Sequence, residues 1–113
     1  MNESLSDFAL ARALGQAAMG VPDVAGIYGG QLGEIATYGP GGRVSGVRVR
    51  REAGQVLVEI HLTITYDPKL NVLVLAETVR SRLAAELRRL TVAHVGAIDV
   101  VVADLAVAAA ATR

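Results

Sequence analysis

Val44-Ser45-Gly46-Val47-Arg48-Val49-Arg50-Arg51-Glu52-Ala53-Gly54-Gln55-Val56-Leu57-Val58-Glu59-Ile60-His61-Leu62-Thr63-Ile64-Thr65-Tyr66 is the stretch that decides the fold. Val47 and Val49 alternate with Arg48 and Arg50. Val56, Val58, Ile60, Leu62 and Ile64 alternate with Leu57, Glu59, His61, Thr63 and Thr65. A period of two with β-branched enrichment reads as strand, and Ala53-Gly54 between the runs reads as a two-residue hairpin loop. That loop places Val49 opposite Val58 and Val47 opposite Ile60 on a buried face. It also places Arg48 opposite Glu59 on the other face, an opposite-charge cross-strand pair. One register satisfies the apolar and the charged residues together, and a slip of one residue would spoil both.

Downstream, Asp67-Pro68 ends the long strand, and Asn71 can cap a helix running to about Leu90. Val72, Ala76, Val79, Leu83, Leu87 and Leu90 lie along one side of it, with Glu77, Ser81, Arg88 and Arg89 largely opposite. Arg82 and Glu86 are four apart and can pair. Ile98, Val100 and Val102 alternate with Asp99, Val101 and Ala103, a last strand whose second face is less polar than that of the hairpin. Such a strand is either more central or covered on its outer face. Ala106 to Arg113 reads as a fraying tail.

Upstream, Leu5 to Met19 reads as a helix with Ser4 or Ser6 as N-cap. Its apolar stripe is Leu5, Phe8, Ala9, Ala13, Leu14 and Ala17. Gly20-Val21-Pro22 is the stop, because Pro disfavours helix in the residue before it. Val24 to Gly33 reads as loop, Leu32 to Tyr38 as a short strand, and Gly39-Pro40-Gly41-Gly42 as a turn or mobile loop. The expected architecture is α+β in the order α-β-β-β-α-β. A small mixed sheet of three to four strands has the hairpin at its centre and two amphipathic helices on one face. Residues 1–113 form a single domain, with an ordered core over about 5–107 and a tail over 108–113.

Composition narrows the function. The chain has 113 residues, 52% hydrophobic and 19% charged, which argues against disorder. Eleven cations cancel eleven acids, so bulk charge predicts neither a nucleic-acid nor a membrane partner. There is no cysteine for a disulfide or thiolate metal site. The acidic N-terminus lacks the cation and apolar run of a signal peptide. The most apolar tract, Ile98 to Thr112, is too short to span a bilayer and holds Asp99 and Asp104. A cytoplasmic protein is expected.

The chemical candidates are few. Glu59 and His61 share a strand face and could form an acid–base pair, but no nucleophile pattern accompanies them, and a solvated sheet face is the plainer reading. His94 sits in the loop expected before the last strand. With two histidines and neither H-x-x-x-H nor H-x-H spacing, no metal site and no cofactor are expected. Gly39 to Arg43 lacks the ending of a phosphate loop. Arg43, Arg48, Arg50 and Arg51 cluster in sequence without interleaved aromatics, so RNA is a runner-up reading and DNA is not expected. Leu73 and Val74 open the second helix with apolar groups beyond what its core stripe needs, which fits a protein-contact patch. The residues alone describe an α+β domain without recognisable chemistry. The contact candidates are Leu73, Val74 and the outer hairpin face around Arg48, Arg50 and Glu59.

Four segments in order resemble the alkaline shock protein 23 family of bacterial envelope-stress proteins, in its actinobacterial form. They are Val21-Pro22-Asp23-Val24-Ala25-Gly26-Ile27 after an Ala-rich helix, and Ala36 to Val49 with its Gly-rich loop and G-V-x-V strand start. The long strand to Tyr66 with Ala76-Glu77-Thr78-Val79-Arg80 follows, and then Ile98 to Leu105. The opening departs from the family's V-x-G-V as V-x-G-I, and Asp67 to Val74 stands where members carry a Gly- and Pro-containing stretch. The resemblance implies a non-enzymatic cytoplasmic protein of the envelope stress response with no catalytic residues to transfer. It also implies a small integral membrane protein as tether, and self-association.

Overall fold

The computed structural model describes residues 5–30 and 34–107. Ser4, Leu32, Gly33 and the tail over 108–113 lie outside the described residues. In chain order the elements are α1 (Asp7–Met19), β1 (Val24–Ile27), β2 (Ala36–Gly39), β3 (Gly42–Ser45), β4 (Val47–Glu52), β5 (Gln55–Tyr66), α2 (Val72–Leu90) and β6 (His94–Val107).

The hairpin has the expected register: Val47 faces Ile60, Arg48 faces Glu59 and Val49 faces Val58. Its loop is Ala53-Gly54 with φ of 50° and 80°, the doubly left-handed geometry whose twist matches paired strands. Around this hairpin stands a four-stranded sheet centred on β5. One edge of β5 carries β4 and then β1, end to end and both antiparallel; the other carries β6, parallel, over nearly its whole length. A parallel partner requires a crossover connection, and α2 supplies it. β2 and β3 form a separate two-stranded sheet closed at Pro40-Gly41.

The mixed α+β layout is therefore present with two strands more than expected. Val24–Ile27 is a strand and not loop. Its ladder with β5 is only four residues long and interrupted by a bulge before Gly26, so no alternation marks it. The run from Val44 is divided between β3 and β4 by Gly46. β6 begins at His94, well before Ile98, and two bulges hide its alternation.

Both helices pack on one sheet face and against each other. The core is Leu10, Leu14 and Ala18 of α1, Leu75, Val79, Leu83 and Leu87 of α2, and the inward residues of β4 and β5. The buried stripe of α1 is thus Leu10, Ala11, Leu14 and Ala18, rotated from the expected one; Leu5 is exposed. Alanine buries too little area to orient a helix, and the two leucines win at about 0.8 kcal/mol per buried methylene. On α2 Val79, Leu83 and Leu87 of the expected row are buried, but the row begins at Leu75, which turns Val72 outward. Glu86 pairs with Arg89 at 2.6 Å and not with Arg82. That hydrogen bond and charge raise the Arg89 pKa. The caps are Ser6 and Asn71, each accepting from the backbone N–H three residues on.

Two positions join the sheets. Gly46 has φ +83° and is buried; a Cβ there would overlap Ile27. Its N–H donates to Ile35 O at 2.6 Å and its carbonyl accepts from His61 N at 2.9 Å. Thr37 of β2 donates its hydroxyl to Val47 O at 2.7 Å and accepts from Val49 N at 3.1 Å. The β2–β3 hairpin is thereby fixed to the outer edge of β4.

Gly46→Ala should lower unfolding free energy by about 2–4 kcal/mol, from left-handed strain plus overpacking. Gly54→Ala, in open space at a similar φ, should lose about 1 kcal/mol. Urea melts of both variants test the difference. Thr37→Val should lose about 2 kcal/mol or more, because two buried backbone groups lose their partner.

Candidate functional site

The candidate contact residues fall on two separate surfaces. Asn71 Oδ1 accepts from Val74 N at 3.1 Å and starts α2. A helix whose core row begins at Leu75 must turn its first residues outward. Val72, Leu73 and Val74 are 42%, 80% and 59% exposed. Three adjoining apolar side chains stand in solvent, and Val72 belongs with them and not with the core. Val74 lies between two grooves. One, about 370 Å³, runs to Val21, Asp23, Leu70 and Leu75; the other, about 620 Å³, is lined by Leu73, Glu77, Thr78 and Ser81. Asp23 itself sits in the left-handed region at φ 75°, and its carbonyl accepts from Thr65 N at 2.9 Å. That bond ties the wall of the first groove to the end of β5.

The outer hairpin face lies across the sheet from the helices, so the structure does not bring Arg48, Arg50 and Glu59 together with Leu73 and Val74. Glu59 is engaged from two sides: it forms an ion pair with Arg48 at 3.5 Å and lies 2.7 Å from His61 Nε2. Arg48 also donates to Glu34 O at 2.9 Å. Arg50 meets Glu52 at 3.4 Å and is exposed. Asp99 of β6 stands opposite Glu59 and Val101 opposite His61. This face is a polar network of partly exposed ion pairs, each worth under about 1 kcal/mol.

The sequence cluster of arginines is dispersed. Arg51 leaves the outer face, donating to Asp7 at 2.7 Å and to Leu5 O at 3.0 Å, and so clamps the start of α1 to β4. Arg48 and Arg50 each have a carboxylate. His94 is the first residue of β6 and lines a groove of about 800 Å³ with Arg80, Arg88, Val92 and Ile98. It lies on a strand and not in a loop. Glu59 and His61 do form the pair their spacing allowed. Among the described residues, no three His, Asp or Glu side chains converge as a metal site requires. Among the same residues, no helix is long and apolar enough to cross a membrane.

Residues 2–107 match the family model described as the Asp23 family, with a cell envelope-related function. No curated protein matches the chain. Among solved structures, a manganese form of the MamM CTD shares 17% identity at a TM-score of 0.56, over 85% of this chain and 95% of that one. A zinc form shares 18% at a TM-score of 0.56, over 85% and 82%. At these identities the likeness is one of fold alone, and the metals belong to those proteins.

The exposure of Val74 sets a first test of the site. Val74→Asp should change unfolding free energy by no more than about 0.5 kcal/mol, as measured by urea melt. A loss of several kcal/mol would instead assign Val74 to the core.

Proposed function

The chain belongs to the Asp23 family of cell envelope-related proteins, and on that premise we propose a small non-enzymatic scaffold that acts through protein contacts beside the membrane. The observation that carries the reading is the apolar opening of α2. Val72, Leu73 and Val74 stand together in solvent with grooves on either side. A soluble domain keeps a contiguous apolar group exposed at a cost in solubility, and such patches commonly mark protein interfaces. The polar candidates lead away from chemistry. Glu59 is engaged by Arg48 and His61, which places it within an ion-pair network.

In this reading the protein is cytoplasmic and reaches the membrane through a small integral membrane protein, whose extramembrane segment contacts the head of α2. It also self-associates, and it serves the envelope stress response. The groove beside Val74 has Val21, Leu70 and Leu75 as apolar walls and Asp23, Asp67 and Lys69 at its rim. An apolar anchor with a polar border is the usual anatomy of a contact that must stay soluble when empty.

The test is fractionation of the tagged protein from its native cell, with mass spectrometry of what co-purifies. Recovery in the membrane fraction with one small integral protein is expected, and Val74→Asp should move the protein to the soluble fraction. Recovery of the unaltered protein in the soluble fraction with RNA would overturn the reading.

A further inference from the structure

We infer that the outer edge of β6 pairs with the same edge of a second copy, antiparallel about a two-fold axis, so that two four-stranded sheets become one. The inference deepens the self-association proposed above and rests on it.

The two edges of the main sheet are finished differently. On the β4 side, the Thr37 hydroxyl occupies Val47 O and Val49 N. On the β6 side, no strand among the described residues pairs with the outer edge over His94–Val107. An open edge is a template for another chain unless a charged side chain, Pro, a bulge or a covering segment blocks it. From His94 to Val107 there is no Lys, Arg or Pro. Val101, Leu105 and Val107 are exposed by 37%, 54% and 81%. The bulges fall on either side of Ile98–Val102, which leaves that segment regular.

Charge selects the occupant and its direction. The acids of β6 are Asp99 and Asp104. A parallel in-register pair would set each acid against its own copy, which is destabilising. An antiparallel pair centred on Val101 sets Asp99 across from Ala103 and Asp104 across from Ile98, so no acid opposes an acid. The same register sets Val100 across from Val102, and both are half-buried against the core. Arg80 Nε already donates to Ile98 O at 2.9 Å and a bulge falls at Ala103, so the new ladder is confined to the regular stretch about the axis, Val100 to Val102 of each copy. A two-fold contact uses the same edge of both copies, so the pairing closes at a dimer.

The chain has no cysteine, so a single thiol reports the symmetry directly. Facing Cα atoms in an antiparallel pair are about 4.5–5.5 Å apart, within disulfide reach. Full-length Val101→Cys should form a covalent dimer under mild oxidation. Leu105→Cys, placed across from Ala97, should lose that product. Equal cross-linking of both variants would overturn the register and the inference. Sedimentation of the unaltered chain should show a dimer, and Val101→Lys should be a folded monomer whose melt, unlike that of the unaltered chain, does not depend on protein concentration. A dimer that survives Val101→Lys but is lost in Val74→Asp overturns the β6 pairing while leaving self-association intact. A monomer at every concentration overturns both. A monomer that binds a different protein through Val101 gives the edge to that protein and also overturns the pairing.

Discussion

Strand β5 pairs along both of its edges, and the other elements take their positions from it. β4 and β1 share one edge, β6 takes the other, and the two helices cover one face. Val56, Val58, Ile60, Leu62 and Ile64 all point into that face and are almost wholly buried. Each contributes about 1.5–3 kcal/mol on burial. A shift of one residue in this strand would turn all five to solvent and bring Glu59, His61 and three neighbours under the helices. The register is therefore the constraint on which the helix packing, the closure of the β4 edge and the outer polar network all depend.

The hairpin was legible in the sequence because two independent signals, valine alternation and the Arg48–Glu59 pairing, agreed on one register. The extent of α2 was legible from Asn71 as its cap; that of α1 was legible less closely, since Ser4 and Ser6 were both open as caps and the helix starts after Ser6, at Asp7 and not Leu5. Their orientation was less so. In α1, alanines on several sides give a broad apolar arc, and only packing of Leu10 and Leu14 resolves which part is buried. In α2 the candidate rows starting at Val72 and at Leu75 share Val79, Leu83 and Leu87, so periodicity could not separate them. β1 and β3 are four residues each, too short for a pattern, and the bulges of β6 break its phase near Gly96 and Ala103. Glu86 has arginines at both three- and four-residue spacing, and Arg82 is drawn instead toward the end of α1 beside Gly20.

The exposure of the candidate contact residues on α2 was legible as surplus. Leu73 and Val74 did not fit the helix's core row, and they are exposed; Val72, which seemed to fit, is exposed as well. Arg48 and Glu59 are occupied with one another. The bareness of the β6 edge could not be read from the chain, because an edge is a property of strand order. Strand order depends on the parallel return of β6 beside β5 through α2. The polar outer face and the apolar head of α2 thus lie on opposite sides of the sheet, and a partner can engage one without obstructing the other.

That parallel return also sets the order in which the molecule can assemble. β4 and β5 meet across two residues, a closure that takes microseconds. β6 can reach β5 only after all of α2 has been made, and non-local pairing of this kind slows folding. During synthesis β5 therefore stands with one side of its backbone bare, displaying a twelve-residue strand with one apolar face. The interval between the emergence of Tyr66 and the arrival of Val107 is when a nascent chain is most open to capture by a neighbouring one.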